Sequence, residues 1–127
     1  MSYNKYKNNK VVVEGIKFDS ETESHYYIYI KKLKEEGEVV AFELQPTYIL
    51  QEGFIKDGKK IRPIIYKADF KVIYKDGHEE IIDVKGQITA EFKIKRKLLL
   101  YKYPNIDFRV IVKEGKKGNY KWVEIMN

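Results

Sequence analysis

Apolar positions change their spacing several times along this chain. Tyr26, Ile30 and Leu33 recur at helical intervals after Asp19-Ser20, a helix start, and Gly37 closes the segment. The spacing predicts a first helix over Ser20–Glu36, with Ser20 and Glu23 at capping-box distance. Val11–Val13 is a short apolar run that reads as an edge strand. Beyond Val39 the pattern turns strand-like. Val39–Leu44 and Thr47–Gln51 are short strand candidates broken by Gln45-Pro46, and Lys56-Asp57-Gly58-Lys59 is a turn. Pro63 marks a strand entry, Ile64–Tyr74 reads as one long strand, and Glu80–Lys85 reads as its partner across the turn 75–78, with Gly86 as its end.

Thr89 is an N-cap candidate for a second helix running to about Tyr101. Ile94, Leu98 and Tyr101 form its apolar stripe, with Phe92 and Leu99 beside them, and Pro104 lies past the end. Ile106–Lys113 and Tyr120–Met126 are two more strands around a basic turn, 115–119. The order helix, strands, helix, strands predicts an α/β (α+β) domain, a mixed sheet flanked by helices. Residues 1–10 read as a flexible basic arm and 11–127 as one domain.

Alternation puts Tyr66, Ala68, Phe70 and Val72 on one face of the long strand, the core face, and Ile65, Lys67, Asp69 and Lys71 on the other. Asp83 and Lys85 share a face, about 7 Å apart along a strand. Whether Asp69 meets Asp83 depends on the turn. A two-residue loop at Asp76-Gly77 pairs 75 with 78 and turns Asp69 away from Asp83. A three-residue loop, 75–77, with Gly77 left-handed, pairs 74 with 78 and sets Asp69 opposite Asp83. The three-residue loop, or a bulge of the same parity, is the expectation.

Charge changes the picture modestly. The 127 residues carry 25 Lys+Arg against 19 Asp+Glu, net +6, which favours a polyanionic partner such as a phosphate backbone. With no cysteine, disulfides and thiolate zinc sites are excluded, and His25 and His78 lie far apart. No apolar run suits a membrane span, and the polar, basic start does not read as a secretory signal. A cytoplasmic location is the expectation.

Two facing carboxylates repel unless a cation lies between them. Hard divalent ions take oxygen ligands, and magnesium uses one or two carboxylates and keeps several waters. Lys85 would then orient an attacking water or stabilise charge on phosphorus. Glu23 has two readings: a third carboxylate of the site, or only the capping partner of Ser20. Asp69 likewise has a plainer reading, a surface ion pair with Lys67 or Lys71. Lys93, Lys95, Arg96 and Lys97 read either as a solvated helix face or as a phosphate-tracking one. Gln87 and Thr89, in the loop before it, are candidates to touch the phosphate.

The ordered set Glu23, Asp69, Asp83-Val84-Lys85 resembles the PD-(D/E)XK nuclease superfamily. Gly15-Ile16-Lys17-Phe18-Asp19-Ser20, Leu44-Gln45-Pro46, Ala68-Asp69-Phe70, Asp83-Val84-Lys85-Gly86 and Tyr103-Pro104 resemble an uncharacterised phage and prophage family assigned to it. Residue 68 is Ala where the superfamily name has Pro. The resemblance implies a restriction-endonuclease-like αβββαβ core and magnesium-dependent cleavage of DNA phosphodiesters, with manganese as a substitute. It makes Glu23, Asp69, Asp83 and Lys85 catalytic. Asp69, Asp83, Glu23 and the Val84 backbone carbonyl become the metal ligands, and Gln87, Thr89, Lys93, Lys95, Arg96 and Lys97 the DNA contacts. It also implies no organic cofactor, admits a homodimer, and points to a phage-encoded protein in a bacterial host. A branched-DNA (Holliday junction) resolvase and a DNA-binding module without turnover are the two alternatives.

Overall fold

The computed structural model describes residues 10–116 and 119–126. The expected basic arm, apart from Lys10, and the middle of the 115–119 turn lie outside the described residues.

A hairpin, β1 (Val11–Val13) and β2 (Ile16–Phe18), precedes helix α1 (Glu21–Glu35). Only its first strand was legible as such. Ser20 caps α1 by accepting a 3.1 Å hydrogen bond from the Glu23 backbone N–H. Gly37, at φ 85, closes the helix as expected.

The main sheet has five strands in the order β11-β10-β9-β8-β3. They are β3 (Val39–Leu44), β8 (Phe70–Tyr74), β9 (Glu79–Val84), β10 (Phe108–Lys116) and β11 (Asn119–Met126). β9 and β10 run parallel, joined across helix α2 (Ala90–Lys102), and the other neighbours are antiparallel. This is the mixed sheet with helices that the pattern predicts. The strand expected over Ile106–Lys113 starts and ends later, and its partner starts one residue earlier than expected.

The segment read as one strand, Ile64–Tyr74, is two. β7 (Ile64–Lys67) pairs with β4 (Thr47–Gln51), while β8 joins the main sheet. The chain bends at Ala68–Asp69, where Ala68 N–H donates to the Pro46 carbonyl and Asp69 N–H to the Ile82 carbonyl. The bend also divides the expected core face. Tyr66 and Ala68 pack with Leu50, Ile81, Phe92, Leu99 and Val110 beneath α2. Phe70 and Val72 pack with Tyr26, Tyr27, Ile30, Ile82 and Val84 beneath α1. All four are buried, in two cores on opposite faces of the sheet.

Helix α2 shows a second departure. Phe92 and Leu99 are its buried residues, whereas Ile94 is 62%, Leu98 37% and Tyr101 87% exposed. Lys95 and Arg96, three and four positions after Phe92, fall on the same side of the helix and are half-buried. Between β4 and β7 the chain forms a further hairpin, β5 (Phe54–Lys56) and β6 (Lys59–Ile61), around the Asp57-Gly58 turn. Only the turn was legible.

Candidate active site

The β8–β9 hairpin closes with a three-residue loop. Tyr74 N–H donates to the His78 carbonyl at 2.9 Å, Gly77 N–H donates to the Tyr74 carbonyl at 2.8 Å, and Gly77 sits at φ 89. The register runs Phe70 opposite Ile82 and Val72 opposite Glu80, so the next position sets Asp69 against Asp83. The side chains join the ladder at that point. Asp69 Oδ2 accepts the Val84 N–H at 2.8 Å, and Asp83 Oδ1 accepts the Asp69 N–H at 3.0 Å.

Both carboxyls are held well above the ordinary carboxylate range. Burial pushes Asp83 up to about 6, against the opposing pull of Lys85 and the Asp69 N–H. Burial likewise raises Asp69 to about 6, against the Val84 N–H and Lys85. Lys85 Nζ lies 3.5 Å from Asp83 Oδ2 and 4.5 Å from the centre of the Phe92 ring.

Glu23 reaches the same place from α1. Ser20 Oγ is occupied by the Glu23 backbone, and among the described residues the Glu23 carboxylate makes no return bond to Ser20. Its pKa is raised to about 8, first by burial and then by the charges of Asp69, Asp19 and Asp83. The side chain is therefore free of the capping role and electrostatically tied to the aspartates.

A cleft of about 380 Å³ joins Glu23, Asp69 and Lys85, lined also by Ser20, Thr22, Val84, Gly86, Gln87 and Thr89, while Asp83 lies buried behind it. The capped N-termini of both helices open onto it, each presenting the positive end of a helix dipole. Gln87 and Thr89 line the cleft, and Thr89 also caps α2 by accepting the Phe92 N–H at 3.1 Å. Lys95 lines an adjoining groove with Ile65, Tyr66, Lys67, Lys85 and Phe92, and pairs with Glu91. Lys93 and Lys97 are exposed on α2 but line neither space, and Arg96 is half-buried with its Nε enclosed. Those three are not brought to the cleft.

Two residues were not read from the sequence as site residues. Asp19 contributes charge to both Glu23 and Asp69. Gln45 ends β3 at φ 51, donates its N–H to the Asp69 carbonyl at 2.9 Å, and lines a small pocket with Glu23 and Asp69. A left-handed non-glycine residue is strained by about 1 kcal/mol. Its Leu44-Gln45-Pro46 context was the one available signal.

The donor set fits a hard divalent cation. Asp83 is 1% exposed, and its Oδ2 is enclosed with no hydrogen-bond partner among the described residues. Among the described residues the Lys85 ammonium faces that oxygen at 3.5 Å, and a second carboxylate lies beside it, an all-oxygen donor set of the kind a hard cation takes. Glu23, Asp69 and Asp83 are not drawn as close together as His78, Glu80 and Asp107, whose ligand atoms all lie within 4.8 Å of one another. The carboxylates of that second group are already engaged by a guanidinium. Arg109 pairs with Asp107 at 3.0 Å and Glu80 at 3.2 Å, and His78 with Asp107 at 2.7 Å.

The model of a family described as "Protein of unknown function (DUF1064)" matches residues 3–119. No curated protein and no solved structure matches the chain. No helix among the described residues is long and apolar enough to cross a membrane.

Proposed function

The chain belongs to that family of unknown function, DUF1064, and we propose that it is a metal-dependent DNA endonuclease of the PD-(D/E)XK type. The observation that carries the reading is the Asp69–Asp83 pair, set opposite each other by the three-residue loop, with Lys85 two positions on. The order α1-β3-β8-β9-α2-β10 matches the αβββαβ core that the resemblance implies, and this supports a restriction-endonuclease-like fold.

Asp69 and Asp83 would hold magnesium, or manganese in its place, with the Val84 carbonyl at the same strand end and Glu23 on the facing wall. When bound, the cation supplies a water that ionises near neutral pH and offsets charge growing on the phosphate. The rest of the work falls to the chain. The N-termini of α1 and α2, with Gln87 and Thr89, seat the anionic phosphate. Lys85 Nζ, steered by Asp83 and the Phe92 ring, donates to the attacking water or to a phosphate oxygen. Glu23, pushed up to about 8, holds a proton at neutral pH and sits where a proton must be exchanged. Water oxygen bonds to phosphorus, one P–O ester bond breaks, and the departing oxygen takes a proton. No covalent enzyme intermediate forms.

Linear, nicked and four-way-junction DNA, incubated with magnesium or manganese and then with a chelator, test the reading. The expected result is cleavage that the chelator stops and that Asp83→Ala loses while DNA binding persists. Preference for the junction narrows the enzyme to a resolvase. Binding without cleavage of any substrate overturns the enzyme in favour of a binding module.

A further inference from the structure

The β5–β6 hairpin is built without a core. Every residue from 51 to 65 is exposed, including Phe54 at 47%, Ile55 at 69% and Ile61 at 40%. An isolated two-stranded ribbon is marginal in water, since ordering it is not offset by burial. Its base, by contrast, is anchored. Leu50 and Tyr66 are buried with Phe92 and Leu99, and Tyr103 Oη donates to the Ile49 carbonyl at 3.0 Å. From those last buried residues to the Asp57-Gly58 tip the ribbon reaches about 20 Å at the rise of an extended chain.

The charge along this ribbon is net positive, with Lys56, Lys59, Lys60 and Arg62 against Glu52 and Asp57. Lys56, Lys59, Lys60 and Arg62 form no ion pair with a described carboxylate, while Glu52 is already paired with Lys102. Lys56 stands directly opposite Lys59, and Phe54 opposite Ile61 on the same face. Directly opposed like charges destabilise a hairpin unless an anion comes between or above them. At its root the ribbon borders the cleft. Ile65, Tyr66 and Lys67 line the groove shared with Lys85, Thr89 and Lys95, and the buried Tyr66 hydroxyl has no partner among the described residues. Two residues after β7 the chain reaches Asp69.

We propose that the 54–61 ribbon is a DNA-gripping arm that lies in a groove of duplex DNA flanking the phosphate held in the cleft. This rests on the nuclease reading for the position of that phosphate. The major groove, roughly 12 Å wide, admits a two-stranded ribbon. Lys56, Lys59 and Lys60 neutralise backbone phosphates on its rims, and Phe54, Ile55 and Ile61 lie against sugars and base edges. The arm contributes grip, and the cleft residues contribute chemistry.

The test compares the wild type with the triple variant Lys56→Ala, Lys59→Ala, Lys60→Ala, whose altered side chains are all exposed. Binding to a duplex of about three helical turns and to one of about one turn is measured against salt, with chelator present to stop cleavage. The triple variant is expected to bind the long duplex on the order of 10–100-fold more weakly at about 0.1 M salt, with the log–log salt slope smaller by about 3. The short duplex, too small to fill cleft and arm together, is expected to change far less. An unchanged slope on the long duplex overturns the arm. The nuclease reading is scored separately by cleavage. A wild type that cuts while the triple keeps its full slope removes only the arm. A wild type that never cuts, but loses slope in the triple, removes only the nuclease.

Discussion

Asp69 and Asp83 each accept a backbone N–H from the other's strand, so the two acids extend the β8–β9 ladder beyond the Asp69 N–H bond to the Ile82 carbonyl. The arrangement holds two carboxylates together at the cost of burying their charge. Both folded pKa values, about 6, lie above those of an unfolded chain. A raised acid contributes stability that is complete below its unfolded pKa and is lost as pH rises through the folded one. Without divalent cations, stability is therefore expected to fall between about pH 4 and pH 7, by up to about 3 kcal/mol for Asp83 alone, with the melting temperature following. Asp83→Asn should flatten that part of the curve in a thermal-melt series across pH.

A cation between the acids should reverse that penalty. Magnesium or manganese at about a hundred times its dissociation constant is expected to add about 2.7 kcal/mol to the wild type and little to Asp83→Asn. Differential scanning calorimetry with and without chelator reads the difference. A metal increment equal in both proteins would place binding elsewhere, with His78, Glu80 and Asp107 the next group to test.

Lys85 is positioned twice, by Asp83 and by the face of Phe92. Lys85→Met keeps the stem and removes the charge. Its expected effect on cleavage is a loss of about 10²–10³ in kcat with DNA affinity nearly retained, as for loss of one transition-state donor. Removing the cation that lowers both buried acids should also raise the pKa of both aspartates, visible as a shift of the pH–stability curve to higher pH. An equal loss of binding and cleavage would assign Lys85 to grip alone.

Leu98 and Leu99 separate what the pattern could and could not tell. The helix, its cap and its end were legible because Thr89 and Pro104 are local signals. Its buried face was not, because Lys95 and Arg96 are half-buried while Ile94, Leu98 and Tyr101 stay outside. Leu99→Ala should cost about 2–5 kcal/mol and Leu98→Ala under about 1, in paired denaturant titrations. The site followed a similar division. The turn composition around Gly77 carried the parity that joins Asp69 to Asp83. The break at Ala68–Asp69 was invisible because both halves are strand-like, and it is set by long-range bonds from Pro46 and Ile82. The β5–β6 strands escaped notice because nothing packs on them to impose an alternation.

Ser20 and Glu23 were one motif in the sequence and part company in the structure. Ser20 Oγ takes the Glu23 N–H, whereas the Glu23 carboxyl is turned to the cleft. Ser20→Ala should therefore cost about 1 kcal/mol of stability through the lost cap, and Glu23→Gln should leave the cap intact. The folded pKa of Glu23, about 8, lies above its unfolded value. Its stability contribution is thus complete in acid and disappears as pH rises through 8. Glu23→Gln, which cannot ionise, should match the wild type near pH 4 and exceed it increasingly toward pH 9, while cleaving DNA more slowly at every pH. Melting curves and initial rates on the same two variants separate the roles. A Glu23→Gln protein with reduced stability near pH 4 and normal cleavage would return Glu23 to the cap.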